Sequence, residues 1–329
     1  MITFDEVMES IGDGVERSLL MGNGFSQAWN RDIFDYANLL EAADFRDRNV
    51  ELQALFDQLS TYDFERVMRA LVSAEAVLTA YGESQRVIDQ IETDQAILKD
   101  ALIAAIASSH PAVPGDVRAD QFISVRNFLS RFNRLFSVNY DLLLYWARNQ
   151  DELEPVGYET DDGFRTQRTW VGYGTNQEVH FLHGGIHIYD SGFYVRKHAY
   201  EESGQTIIDQ VRRNLQNGKF PLFVSEPTAD QKRIKIERHP YLSYCYRALA
   251  EISGTLVIYG HSIDENEKHI FDQIKLSRTN RVFVSIFGDE HSESNARVKA
   301  NARAYLEGQG ITVDFYSAES TPVWTEPGN

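Results

Sequence analysis

The stretch that most constrains this fold is Leu135-Phe136-Ser137-Val138-Asn139-Tyr140-Asp141, an apolar strand that leaves Arg134 and stops at polar and aromatic residues. In a parallel α/β sheet, ligands sit outside the carboxyl ends of the strands, where the strand order reverses. Side chains alternate along a strand, so Asn139 and Asp141 are expected to face one pocket, with Tyr140 turned away. Leaving either polar group buried without a partner costs roughly 1–3 kcal/mol. The competing reading is an ordinary strand-to-helix turn, with Asp141 capping a helix that begins at Leu142.

Three other strands end in the same manner. Ser18 to Met21 reads as a short buried strand, turned by Gly22-Asn23-Gly24 into a helix near Ser26. Two glycines let a backbone approach a ligand closely, and a helix start favours an anion. A plain tight turn accounts for the same residues, and the full GxGxxG is absent. Thr255 to Tyr259 runs into Gly260-His261-Ser262-Ile263-Asp264, and Val282 to Phe287 runs into Gly288-Asp289. A helix near 294–306 and a last strand, Ile311 to Phe315, follow, and residues past Ser317 read as tail. Strands alternating with helices in this way predict a doubly wound, mostly parallel α/β sheet.

Between the first two strands the texture is helical. Leu52, Leu55, Phe56 and Leu59, then Phe64, Val67, Met68 and Leu71, then Val87, Ile91, Leu98, Leu102 and Ile106 form apolar stripes at helical spacing. They predict an all-helical insertion over 45–119 within a core of 1–44 and 120–329. Thr61 to Glu65 reads as a helix start, with Asp63 or Glu65 capping it or reaching toward the pocket. Phe220 to Ser225 reads as a strand. Lys232, Arg233, Lys235 and Arg238 read as a solvated helix face or, alternatively, a partner or phosphate contact.

Val179 to Ile188 is a strand broken by Gly184-Gly185 and carries His180, His183 and His187. Alternation puts His180 and His183 on opposite faces, so no metal is expected. His183 ends an apolar run just before the glycine pair, a good place for a functional imidazole.

Composition excludes several partners. The chain has 329 residues, 43% hydrophobic and 25% charged, with a formal net charge of −17. Such a surface repels nucleic-acid phosphates and anionic lipid. One cysteine, Cys245, rules out an internal disulfide and a four-cysteine zinc site, and it reads as a buried apolar residue. With no membrane-length run and no basic leader, a soluble cytoplasmic protein is expected.

Four loops, in order, resemble those of sirtuins. Gly22–Ser26 (GNGFS) is similar to their GAGxS turn, and Ser137–Asp141 (SVNYD) to the TNYD of bacterial sirtuin-like proteins. Leu182-His183-Gly184 resembles the step carrying the sirtuin catalytic histidine, and Gly260–Asp264 (GHSID) the cofactor-contacting GTS or GxS loop. VSEPTADQK at Val224–Lys232, PYLSYCY at Pro240–Tyr246 and LVIYGHSIDENEKHI at Leu256–Ile270 are similar to runs in a bacterial sirtuin-like family. There Pro227 stands where glycine is usual.

The resemblance implies a Rossmann-like sheet binding NAD⁺, with no metal. The implied contacts are Gly22, Asn23, Gly24, Phe25, Ser26, Tyr140, Gly260, His261, Ser262 and Asp289. Among these, the amides of the first turn would take the pyrophosphate, and Gly260, Ser262 and Asp289 the adenosine half. The implied catalytic residues are Asn139 on the ribose or the attacking water, His183 as general base, and Asp141 orienting the site. The implied activity is NAD⁺ glycohydrolysis in antiphage defence, by a homo-oligomer or with an activating partner protein. Typical sirtuins carry a four-cysteine zinc module that this chain cannot build. An NAD⁺ or ADP-ribose sensor and, behind it, a protein deacylase are the alternatives.

Overall fold

The computed structural model describes residues 1–30, 40–62, 64–199, 205–224, 226 and 228–324. Strands β1 (Arg17–Met21), β2 (Arg134–Ser137), β3 (Val179–Phe181), β7 (Ser253–Tyr259), β8 (Arg278–Ile286) and β9 (Thr312–Ser317) form one six-stranded sheet. Every pairing in it is parallel. Leu19, Leu20, Met21, Leu256, Val257, Ile258, Val282, Phe283 and Val284 expose no surface, because both faces of the sheet are covered.

The strand order is β3-β2-β1-β7-β8-β9. From β1 the chain steps outward through β2 and β3, then outward the other way through β7, β8 and β9. This is the expected doubly wound α/β arrangement, and its direction reverses between β1 and β7. By the general rule for such sheets, the crevice lies beyond Met21 and Tyr259.

A second, antiparallel sheet has the order β5-β4-β6, from β4 (Gly184–Asp190), β5 (Val195–Lys197) and β6 (Pro221–Phe223). The single broken strand expected over 179–188 is therefore two strands in two sheets. Gly184 makes the step: its φ is +78°, and a Cβ there would lie 1.9 Å from the Leu222 carbonyl oxygen. Glycine alone satisfies both conditions. Leu182 and His183 sit at the junction and are held on both sides. The Leu182 N–H donates to the Ser137 carbonyl (2.9 Å), and the His183 carbonyl accepts from the Val224 N–H (3.1 Å).

Helix α1 (Phe4–Ile11) is capped by Thr3, whose hydroxyl accepts from the Glu6 N–H while the Glu6 carboxylate accepts from the Thr3 N–H. The short α2 (Gly24–Gln27) follows β1. Helices α3 (Asn49–Gln58), α4 (Phe64–Ala80) and α5 (Gln85–Ser109) lie between β1 and β2, with α4 packed on α5. Leu52, Phe56, Phe64, Val67, Met68 and Leu71 are buried as their spacing predicts. At the start of α5, Ile88 is buried and Val87 exposed, since periodicity locates a stripe only to within about a residue. Helix α6 (Ala119–Leu129) feeds β2, and α7 (Leu143–Arg148) leaves it. Then come α8 (Ile207–Gln216), α9 (Ala229–Arg238), α10 (Pro240–Ala248), α11 (Lys268–Ile274) and α12 (Glu293–Leu306).

Three sequence expectations change or fall outside view. Of the residues past Ser317 that were expected to be tail, 318–324 are not: Val323 and Trp324 are buried, and the Trp324 indole N–H donates to the Phe25 carbonyl (2.7 Å). Burying an indole is strongly favourable when its N–H finds an acceptor. The basic cluster on α9 is not simply solvated, because Lys232 is buried. Asp63, Ser225 and Pro227, and the Glu65 side chain, lie outside the described residues. Cys245 is buried as expected, and burial pushes its thiol up to about 12. Among the described residues no helix is long and apolar enough to cross a membrane.

Candidate functional site

The turn after β1 and the turn after β7 are packed against each other. Gly22 N–H donates to the Tyr259 carbonyl (3.0 Å) and Gly24 N–H to the Gly260 carbonyl (2.8 Å). A Cβ on Gly22 would lie 2.6 Å from Gly260 O, and one on Gly24 would lie 2.5 Å from Gly260 Cα. Gly260 itself has φ +64°, and its N–H donates to the Ser285 hydroxyl (2.8 Å). The glycines thus let two loops touch. Of the three amides expected to form a cradle, those of Gly22 and Gly24 already donate to the neighbouring turn.

Beneath this contact lies a buried polar triad. Asn139 Nδ2 donates to Ser26 Oγ (2.9 Å), and the Ser26 hydroxyl donates to Asp141 Oδ2. Asp141 Oδ1 accepts from the N–H of Leu143 (2.8 Å), the first residue of α7, in a turn that leads into the helix. Burial raises the Asp141 pKa, opposed by the Ser26 and Leu143 hydrogen bonds. Asn139 and Asp141, expected to face one pocket, lie past the end of β2 and both bond Ser26. Tyr140, expected to turn away, lines the cavity instead, with its hydroxyl donating to the Val224 carbonyl (2.5 Å).

A cavity of about 1230 Å³ opens at the reversal point. Its walls include Gly22, Asn23 and Gly24 after β1, Val138 and Tyr140 after β2, His183 at the β3–β4 junction, and Gly260, His261 and Ser262 after β7. Trp324 and Val323 close another side. Of the residues singled out in the sequence, Asn139, Asp141, Ser26, Phe25 and Asp289 are not on its walls. Asp289 is exposed and accepts from the His291 N–H (2.9 Å), shaping its own loop.

His183 is buried at the cavity wall, with Nε2 3.3 Å from Glu267 Oε2. Glu267 Oε1 is paired with Lys232 Nζ. The pKa of His183 lies well below 6.5, first because of burial, then because Lys232, His269, His261 and Lys235 surround it with positive charge. The imidazole is therefore neutral near pH 7 even with Glu267 beside it. Burial lowers His261 to about 4 and His269 to about 3. Lys235 pairs with Glu226 Oε1 (3.0 Å) on the same side.

The three histidines of 179–188 are not gathered. His180 stacks on Phe136 (4.8 Å between ring centres), and His187 lies against Tyr145 and Phe181. Among the described residues one group of His and acid side chains brings its donor atoms within 4.8 Å of one another: His183, Glu267 and His269. Sequence reading missed Lys232, Glu226, Glu267 and Trp324 as site residues. The signal for Glu267 was present as acid in the first turn after Gly260–Asp264; nothing in the sequence linked it to His183.

The family described as "Domain of unknown function (DUF4917)" matches residues 19–324. No curated protein matches the chain. Among solved structures, a Sir2 mutant with a p53 peptide and NAD is 11% identical, covering 92% of this chain and 98% of its own, at a TM-score of 0.38. A mutant Sir2 homologue in complex with 2′-O-acetyl ADP ribose is 12% identical, covering 92% of this chain and 96% of its own, at a TM-score of 0.37.

Proposed function

Since the chain belongs to the DUF4917 family, we propose its activity from the cavity: it binds NAD⁺ and hydrolyses the nicotinamide–ribose bond. One observation carries this reading. The loops that resemble sirtuin motifs come from four separated parts of the chain, and all four meet at or directly under one cavity. That cavity lies at the reversal point of a doubly wound sheet, where nucleotides bind in such folds. Its volume exceeds the roughly 300–1,000 Å³ of sites for drug-sized ligands, and so leaves room for a dinucleotide.

In the proposed reaction the C1′–N bond breaks, and its electron pair neutralises the nicotinamide ring. Water oxygen bonds to C1′, and the water proton passes to His183 and then to solvent, leaving ADP-ribose. The transition state carries positive charge on the ribose. The walls supply the carboxylates of Glu226, Asp264, Glu267 and Glu319 beside the ammonium of Lys232, a balance suited to that charge. A neutral His183 is ready to accept the proton. Asn139 and Asp141 act at one remove, holding Ser26 and with it the β1 turn. On the resemblance, such an enzyme serves antiphage defence and is restrained, as an oligomer or by a partner, until triggered.

The test is chromatography of NAD⁺ after incubation with wild-type protein and with His183→Ala. Nicotinamide and ADP-ribose are expected from wild type, and roughly 10²–10⁴-fold less from the variant. Undiminished turnover by the variant removes the base. A second reading, a module that holds NAD⁺ without cleaving it, is favoured by the turning of Asn139 and Asp141 toward Ser26. Saturable NAD⁺ binding with no nicotinamide release under any condition would select it.

A further inference from the structure

Among the described residues, the helical insertion reaches the cavity wall at one position, Tyr62, in the turn between α3 and α4. We propose that Tyr62 is the surface on which one of the two heteroaromatic rings of NAD⁺ stacks, which makes the insertion part of the binding site. This rests on the reading of the cavity as an NAD⁺ site.

The turn that carries Tyr62 is held from both sides. Helix α3 ends in a paired cap: the Ser60 N–H donates to the Asp57 carbonyl (3.0 Å) and the Thr61 N–H to the Phe56 carbonyl (3.1 Å). Ser60 takes the left-handed conformation that this cap needs, with φ +46°. Thr61 is buried on one side of Tyr62, and Phe64, packed on Phe45 and Phe56, is buried on the other. Helices α4 and α5 pack on each other across the short connection 81–84, so they run antiparallel, and the end of α5 returns to the side where α4 begins. There His110, buried just past α5, accepts from the Leu142 N–H at Nε2 (2.9 Å) and donates from Nδ1 to the Pro111 carbonyl (2.7 Å). Leu142 lies two residues past Tyr140, itself on the cavity wall. The insertion is thereby tied to the turn after β2, and Tyr62 is mounted on a braced element.

Tyr62 differs from four other aromatic residues of the wall, which are engaged within the protein. Tyr140 donates to the Val224 carbonyl, Tyr259 packs on Phe128, Trp324 packs on Phe25, and Trp29 lies against the core. Tyr62 is 47% exposed and makes no hydrogen bond and no ring contact among the described residues. Bare aromatic surface on a cavity wall is stabilised when a flat ring covers it. Tyrosine does this at little conformational cost, having only two side-chain torsions. Stacking accepts any π face, so adenine qualifies. The nicotinamide ring of NAD⁺ is cationic and would also be drawn to the tyrosine face.

The experiment measures equilibrium binding of ADP-ribose, which keeps only the adenine ring, and of nicotinamide mononucleotide, which keeps only the nicotinamide ring. KM for nicotinamide release from NAD⁺ is measured beside them. The full-length chain is compared with Tyr62→Phe, Tyr62→Leu and Tyr62→Ala. In Leu and Ala, KM should rise roughly tenfold, the size of one lost ring-on-ring contact. The Kd of one probe should rise with it, and that probe names the ring. Phe keeps the ring and should stay within about twofold of wild type, since the hydroxyl takes no part in stacking. Leu fills the volume of the side chain, so a loss shared by Leu and Ala is a loss of the ring and not of the fold. Unchanged KM and Kd values in Ala overturn the proposal. So does Phe as weak as Ala, or Leu as tight as wild type. If wild type binds a probe but releases no nicotinamide, the glycohydrolase reading fails alone, and the Kd series still decides the role of Tyr62. If wild type binds neither probe, the NAD⁺ reading itself fails and this proposal falls with it.

Discussion

Arg126 and His183 are both almost wholly buried, and the protein treats them in opposite ways. The Arg126 guanidinium donates to five main-chain carbonyls, those of Glu154, Ala147, Arg148, Pro155 and Tyr158, at 3.1–3.4 Å. Every arm of the fork is committed, and the effect is to tie the end of α7 to the loop at 154–158. At the cavity wall two imidazoles are treated otherwise. His183 Nε2 and His261 Nε2 make no hydrogen bond among the described residues, and neither do Asn139 Oδ1 and both His269 nitrogens, which are not on the walls. Buried polar groups are ordinarily satisfied, so an unspent imidazole on a cavity wall is open to a ligand, whereas His180 Nε2 and both His187 nitrogens are unspent away from the cavity.

The sharpest way to break this contrast is to remove the clamp. Arg126→Met leaves five main-chain carbonyls, those of Ala147 and Arg148 in buried hydrogen bonds, short of a donor and should cost roughly 3–5 kcal/mol, read by denaturant unfolding. Nicotinamide release per folded molecule should be unchanged. Stability within about 0.5 kcal/mol of wild type, the range of ordinary surface changes, would show that the clamp is not structural.

A smaller effect separates the regions by pH. Burial lowers His110 and His261 to about 4 and His180 and His269 to about 3, and takes His183 well below 6.5. Below pH 6.5 the unfolded chain binds protons that these folded imidazoles refuse. Their contribution is complete above about pH 6.5 and is lost as pH falls toward 4. Asp141, shifted upward by burial, works in the opposite sense as a single group. The Tm should therefore fall between pH 7.5 and 5. Arg126→Met should fall in parallel, since a guanidinium stays charged across that range. Divergent slopes would mean that the clamp and the histidines are coupled.

The same contrast explains what could be read from the sequence. A strand buried on both faces writes itself as an unbroken apolar run before a turn residue, as in Leu19–Met21 before Gly22 and Leu256–Tyr259 before Gly260. The doubly wound sheet was legible for that reason. Asn139 and Asp141 lie beyond Ser137, where β2 ends, so period two does not govern them, and both reach Ser26 instead. Ser26 is 113 residues from Asn139, and no local pattern carries that contact. Gly22 and Gly24 read either as ligand approach or as a plain tight turn, and the close neighbour they admit is Gly260. Lys232 read as solvated or as a partner or phosphate contact, because Glu267, with which it pairs, lies 35 residues on. Trp324, a lone aromatic in a polar stretch, had no periodic context to announce its burial.

The smallest effect comes from the residue next to Glu267. Lys268 pairs with Asp272 at 2.7 Å across one turn of α11, but both side chains are about half exposed, whereas Lys232 and Glu267 are largely covered. Water screens the exposed pair, and such i,i+4 pairs contribute roughly 0.3–0.5 kcal/mol. Lys268→Ala should therefore shift stability by no more than that and leave nicotinamide release within about twofold, measured beside wild type and His183→Ala. Charge near the cavity would then matter only where it is buried against the imidazole. A large loss of release in Lys268→Ala would instead mean that the cavity responds to the summed field of its surroundings, and the distinction between spent and unspent groups would lose its force.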